Sequence, residues 1–271
     1  MLLPRIITAF ILIPLVVWLL YFAPVTVFNA IIFIILLRAG WEWSLFCSKG
    51  KLRRIGYVAI LGILALLLYA NPFQHAVLYF TALGLWIWSS VAVICYQKNN
   101  HACGLNFVPL QKLLGWIMLV ACGLGLHDLI QMPNGPNYVM ALLLLVWAND
   151  TGAYFAGRFW GQGKLADKVS PKKTWAGLWG GVVLTLFVYT IMNLLSAVPI
   201  QIMLRQLPWI LAIIYFSIIG DLFESLLKRQ AGIKDSSNIL PGHGGLLDRI
   251  DSLLAATPVF VLMLLLEHIS I

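Results

Sequence analysis

Charge is scarce in this 271-residue chain: ten acidic and eighteen basic residues make 10% of it, where a soluble domain carries about 25%. With 61% of the residues hydrophobic, one soluble core cannot hide the apolar sequence, which excludes an ordinary water-soluble fold. Paired cysteines are missing too. Cys47, Cys95, Cys103 and Cys122 show no C-x-x-C spacing, so no disulfide or zinc framework is implied and all four read as free thiols. Alternating apolar and polar runs are absent, which excludes a membrane β-barrel. No soluble appendage, low-complexity tract or internal repeat is visible, and the missing repeat weighs against the transporter folds built from repeats.

What is present is a series of long, continuous apolar runs. In a bilayer the backbone must satisfy itself, and each helical span needs about 20 apolar residues. Nine runs qualify, near 5–23, 26–46, 55–70, 76–96, 113–131, 138–157, 178–198, 207–224 and 254–270. The third and ninth are short, so eight spans is the alternative. The fold expected is all-α: a polytopic transmembrane helix bundle forming one integral membrane domain over 1–271. Its helices fall into an N-terminal group (1–132) and a C-terminal group with polar loops (138–271). The first run, flanked by Arg5, has no small-residue cleavage site after it and reads as a retained helix.

The net charge of +8 does not point to nucleic acid, because the basic residues sit in short loops between spans. Nine alternating helices with a cytosolic N-terminus put Arg5, Lys49, Lys51, Arg53, Arg54, Lys98, Lys112, Arg158, Lys164, Lys168, Lys172, Lys173, Lys228, Arg229, Lys234 and Arg249 on the cytosolic side. Arg38 lies within a span, and Arg205 alone falls outside. The opposite orientation violates the positive-inside rule almost everywhere. Such loops also touch anionic lipid heads. The outer connections expected are Asn71-Pro72, Met132–Asn137 and Val198–Leu207.

Several of the few acidic residues lie inside or at the edge of spans: Glu42, Asp128, Asp150, Asp221 and Glu224. An ionisable group at membrane depth costs on the order of 2.5–3.5 kcal/mol and is kept where it faces protein, water, a metal or a partner charge. Two polar segments result. The first carries Asp150 on a helix with small residues at 152, 153, 156 and 157, followed by Ser170, Lys172, Lys173 and Thr174 just before another helix. Small residues let helices approach closely. Hydroxyls and ammonium groups at a helix N-terminus suit phosphate.

The second segment runs from Gly220 to Asp251 and holds Asp221, Glu224, Asp235, Asp248 and Asp251, five of the ten acidic residues. A helix continuing past Asp221 puts 221, 224, 225 and 228 on one face. A new helix starting near Leu246 puts Asp248 and Asp251 on another. Carboxylates from two helices suit a hard cation such as Mg²⁺, which prefers oxygen ligands and keeps waters and substrate phosphates. The Pro-Gly-His-Gly-Gly turn, with His243, Gly244 and Gly245, lets backbone approach a ligand closely.

The residues alone leave open a cation- or proton-coupled transporter with Asp128, Asp150 and Asp221 as relay groups, although most acids concentrate at one end. A non-catalytic lipid-binding factor is disfavoured by the complete acidic and basic set. The Asp-rich helix pattern of CDP-alcohol phosphotransferases is not found.

The run Ser225-x-Leu227-Lys228-Arg229-x₄-Lys234-Asp235-x-Ser237-x₂-Leu240-Pro241-x-His243-Gly244-Gly245-Leu246-x-Asp248-Arg249-Ile250-Asp251 resembles the signature of phosphatidate cytidylyltransferases, the CDP-diacylglycerol synthases. Asp150-Thr151-Gly152-Ala153-Tyr154 and Ser170-Pro171-Lys172-Lys173-Thr174-Trp175 resemble a second block of that family. Ala176 departs from it, where many relatives carry Glu or Gln. The N-terminal half matches only as hydrophobic helices.

The resemblance implies conversion of CTP and phosphatidate to CDP-diacylglycerol and pyrophosphate in phospholipid biosynthesis. It implies dependence on Mg²⁺, with room for a second cation, and Asp221 and Asp248 as metal ligands. The catalytic set expected is Asp221, Lys228, Arg229, Lys234, Asp235, His243, Asp248, Arg249 and Asp251. Substrate contacts are expected from Asp150, Ser170, Lys172, Lys173, Thr174, Ser225, Gly244 and Gly245. The setting expected is a bacterial inner (plasma) membrane with the site facing the cytosol, membrane lipid as neighbour, no nucleic acid, and a homodimer as one assembly open to the chain.

Overall fold

A computed structural model describes residues 13–101, 103–233, 236–237 and 244–269, with side chains as far as 267. A first helix, α1, is described over 13–21. Then follow α2 (Val25–Cys47), α3 (Lys51–Tyr69), a 3₁₀ turn (Pro72–Gln74), α4 (His75–Asn99), α5 (Val108–Gln131) and α6 (Gly135–Trp160). A hairpin of β1 (Lys164–Ala166) and β2 (Ser170–Thr174) leads to α7 (Trp175–Leu195), α8 (Ile200–Ala231) and α9 (Leu247–Ile269).

Among the described residues 8 helices, α2 to α9, are long and apolar enough to cross a membrane. The protein is therefore an integral membrane protein with the all-α architecture expected, and eight of the nine expected spans are present. Of the remaining one, 5–23, residues 5–12 lie outside the described residues and 13–21 are helical. All four cysteines are free thiols.

Two features differ from expectation. The 198–207 stretch is not an outer loop: Pro199 precedes the first turn and α8 begins at Ile200. Pro208 lies inside that helix, where its missing N–H removes one backbone bond that the rest of a long helix outweighs. The basic stretch after α6 is not a plain loop either. β1 and β2 pair antiparallel, with Lys164 opposite Thr174 and Ala166 opposite Ser170. The hairpin is tethered from outside: the Gln97 amide donates to Asp167 and holds its carboxyl below the usual range, and Arg229 Nε donates to the Val169 carbonyl at 3.3 Å.

α5, α8 and α9 form the centre, with 67% of an 18-residue apolar stretch of each buried, while α7 is peripheral at 17%. At about 1.5 Å per residue the 32 residues of α8 reach roughly 48 Å, longer than a hydrocarbon core of about 30 Å, so its ends lie in the polar region. Glycine sets two close approaches. A β-carbon at Gly180 would collide with Ala156 and with the Gly152 carbonyl, so α6 and α7 pack backbone to backbone. One at Gly220 would strike the Asp251 carbonyl, so this glycine brings α8 and α9 together beside Asp221.

Candidate active site

The ends of α6, β2, α7, α8 and α9 enclose a cavity of about 570 Å³. Asp150 and Tyr154 reach it from α6, Ser170, Lys172, Lys173 and Thr174 from β2, Asp221 from α8, and Asp248, Arg249, Asp251 and Ser252 from α9. Nine of the residues singled out in the sequence thus meet on one wall system, although they come from segments up to a hundred positions apart. Trp147, Leu165, Leu178 and Ile218 add apolar surface.

The charges inside are arranged in opposition. Lys173 Nζ lies 2.7 Å from Asp221 Oδ2, with 23% and 34% of the two side chains exposed. Ser225 Oγ donates to Asp221 Oδ1 at 3.5 Å. Ser252 hydrogen-bonds Asp150 through its side chain, and its backbone N–H donates to Asp251 Oδ1 at 2.7 Å. The Thr174 hydroxyl caps α7 by accepting from Gly177 N at 3.1 Å. This is the helix start expected after the Ser170–Thr174 run, and capping satisfies an otherwise orphaned donor.

Asp248 is held differently. Its Oδ2 accepts from Ser236 N at 3.1 Å, Ser236 Oγ at 2.9 Å and Gly245 N at 2.7 Å. Its Oδ1 accepts from Lys228 Nζ at 2.5 Å, and the same ammonium reaches Glu224 Oε2 at 2.5 Å. Lys228 therefore sits behind the cavity, between two carboxylates. Glu224 is only 3% exposed, so a buried cation between two acids is far better than either acid alone. Arg229 points to the hairpin. Of the other expected site residues, Gly244 adopts a left-handed φ of 78°. A β-carbon at Gly245 would collide with Ser236 Oγ and crowd the Glu42 carboxyl. Lys234, Asp235 and His243 lie outside the described residues.

The sequence reading gave no role to Glu42. This residue of α2 is fully buried. Its Oε1 accepts from Ser237 Oγ at 2.7 Å and Leu246 N at 3.1 Å, and its Oε2 from Leu247 N at 2.7 Å and Ser236 Oγ at 3.1 Å. Arg38, one turn earlier, lies 3.2 Å from Oε1. The available signal was a lone acid in an apolar helix.

The two remaining outliers lie at the far end of the bundle. Asp128 accepts from Tyr79 OH at 2.6 Å and faces His75 Nδ1 at 2.9 Å, which closes it off locally. Arg205 Nε lies 4.0 Å from Glu267 Oε1, and Gln206 Nε2 donates to Glu267 Oε2 at 2.8 Å.

The carboxylates differ in their fitness for a hard cation. Asp150, Asp221 and Asp251 offer an oxygen-only donor set facing one open cavity, which suits a partly hydrated Mg²⁺. Asp221 Oδ1, with a single long contact, has acceptor capacity left. Both oxygens of Asp248 are engaged by the protein, so Asp248 joins such a set only if Lys228 leaves Oδ1. Among the described residues no three His, Cys, Asp or Glu groups are already gathered around one point.

The model of the cytidylyltransferase family matches residues 3–266. The chain is 37% identical to the phosphatidate cytidylyltransferase of Pseudomonas aeruginosa over 265 residues, covering 97% of each chain. It is similar to the enzymes of that name from Haemophilus influenzae, 37% identical with 81% of this chain and 83% of the relative covered, and Bacillus subtilis, 34% identical with 86% and 89% covered.

Proposed function

Because this chain belongs to the cytidylyltransferase family, we propose that it transfers the cytidylyl group of CTP to phosphatidate, yielding CDP-diacylglycerol and pyrophosphate for phospholipid synthesis. The observation that carries this reading is the cavity in which Lys172, Lys173 and Arg249 face Asp150, Asp221 and Asp251. Such a wall can receive two polyanions together with their counter-cations.

A phosphate oxygen of phosphatidate attacks the α-phosphorus of CTP. One P–O bond forms, the α–β P–O bond breaks, and pyrophosphate leaves with the electron pair. The attacking oxygen is ionised near neutral pH, so no strong general base is needed. The difficulty is repulsion and alignment, which places the burden on cationic groups and in-line positioning. Lys172, Lys173 and Arg249 supply fixed positive charge to the phosphates. Lys173 can exchange Asp221 for a phosphate oxygen at small cost, because both side chains are partly exposed. Lys228 acts one layer back by holding Asp248, and Arg229 by anchoring the hairpin that carries Lys172 and Lys173.

Mg²⁺ would be held by Asp221, with Asp248 joining only on release of its Oδ1 by Lys228, and would neutralise charge on the reacting phosphates. Asp150 and Asp251 offer further oxygen ligands for a second cation. The positive-inside pattern supports a cytosolic site in a bacterial inner membrane, where CTP is available and phosphatidate arrives from the lipid. A homodimer is compatible with this scheme.

The test is incubation of the purified protein with labelled CTP and phosphatidate, with and without Mg²⁺. A lipid-soluble cytidine product that requires both is expected. Its absence with a folded protein overturns the proposal.

A further inference from the structure

We propose that Glu42 is a positioning residue for the transfer, acting from α2 through the start of α9. This inference rests on the reaction proposed above. Glu42 does not line the cavity. All four of its described contacts outside α2 nevertheless fall on the segment that leads into Asp248, Arg249 and Asp251.

The contacts fall on both sides of the 238–243 stretch. Ser236 and Ser237 donate their hydroxyls before it, and Leu246 and Leu247 donate backbone N–H groups after it. The last two are among the orphan donors that precede a helix, so Glu42 completes the N-terminus of α9 from another helix. Ser236 Oγ lies between Glu42 Oε2 at 3.1 Å and Asp248 Oδ2 at 2.9 Å. Its single proton is shared between the two acids, which ties Asp248 to Glu42 through one atom. Gly245 belongs to the same clamp, because a side chain there would displace both Ser236 Oγ and the Glu42 carboxyl.

A fully buried acid outside the cavity lining is costly, and Arg38 at 3.2 Å compensates it from a single side. An apolar residue would pack α2 at lower cost. What an apolar residue cannot do is set the height and direction of the first turn of α9, and with it the aim of Asp248, Arg249 and Asp251. Misplacement of about 1 Å can cost roughly 100-fold in rate.

The test is steady-state kinetics of purified Glu42→Gln and Glu42→Asp with CTP and phosphatidate, alongside thermal unfolding in detergent. Glu42→Gln turns an amide N–H₂ towards donors. It should lower kcat about 10- to 100-fold, the range typical of residues that orient the groups at a site, with KM for both substrates within about threefold. Glu42→Asp keeps the charge and should recover part of the kcat. That split and rescue would not follow from a role in stability alone. A folded Glu42→Gln protein with wild-type kcat overturns the inference. If Glu42→Gln does not fold, Ser237→Ala decides: it removes one donor from the clamp and lies outside the cavity. A kcat at least about threefold lower supports the role, and an unchanged kcat overturns it. An inactive wild type would instead refute the proposed reaction, so the two failures are distinguishable.

Discussion

Lys173 on β2 and Asp221 on α8 meet across the cavity, with Nζ 2.7 Å from Oδ2. The pair joins the two polar segments that the sequence sets almost fifty positions apart. It also gives each a job, since the lysine screens the acid and the acid keeps the lysine extended into the cavity.

Replacing this lysine should affect chemistry more than folding. A partly exposed ion pair contributes at most about 1 kcal/mol to stability, whereas a charge aimed at a transition-state phosphate is worth roughly 100-fold or more in rate. Lys173→Ala should therefore keep its melting temperature in detergent and lose about 100-fold in kcat/KM. Unchanged kinetics for both substrates would remove Lys173 from the site.

Lys228 should behave in the opposite manner. It lies between Glu224 and Asp248 and does not line the cavity. Lys228→Met leaves two acids uncompensated and should cost about 3–5 kcal/mol, read as a large drop in melting temperature. Adding Glu224→Gln should restore part of that loss. If Lys228→Met melts like wild type, the cluster does not have the structural weight assigned to it.

Asp248→Asn tests the anchor at the head of α9. The amide keeps one acceptor oxygen but turns N–H groups towards Ser236, Gly245 or Lys228, all of which are donors. Turnover should be abolished while membrane insertion persists, as followed by activity and by detergent extraction of the full-length protein. Substantial residual turnover would count against both the anchoring and the metal role of this residue.

Gly180→Leu should separate α6 from α7. A side chain there meets the Ala156 β-carbon and the Gly152 carbonyl, so relief requires the helices to part. Overpacking of this kind costs typically about 1–3 kcal/mol. Asp150 and the Lys172–Thr174 strand then shift relative to each other, so stability and activity should fall together. Wild-type values for both would mean that the two helices can part without consequence.

The spans were legible because bilayer solvation writes itself into long apolar runs, and the start of α9 because Asp248 and Asp251 fit one helical face. The line 221, 224, 225 and 228 was only half legible. Asp221 does face the cavity, but Glu224 and Lys228 turn inward to Asp248, since a buried acid is satisfied by the nearest cation. The hairpin was hidden because Ser170–Thr174 carries a proline and two lysines and lacks the alternation of a half-buried strand. It is ordered by Gln97 and Arg229 from other helices. The loop that 198–207 suggested, with Arg205 and Pro208, is helix because α8 continues through both. Glu42 was legible as an acid within a span, but its role was not: its partners lie about two hundred positions away, and no local pattern marks them.

In the proposed reaction the cavity around Lys173 and Asp221 passes the cytidylyl group of CTP, with its α-phosphorus, to a lipid phosphate. The most direct test supplies purified protein, Mg²⁺ and phosphatidate with CTP labelled at either the α- or the γ-phosphate, beside an Asp221→Asn control. α-Label should enter the lipid phase, γ-label should leave as pyrophosphate, and Asp221→Asn should yield neither product. γ-Label in lipid, or full transfer by Asp221→Asn, would contradict it.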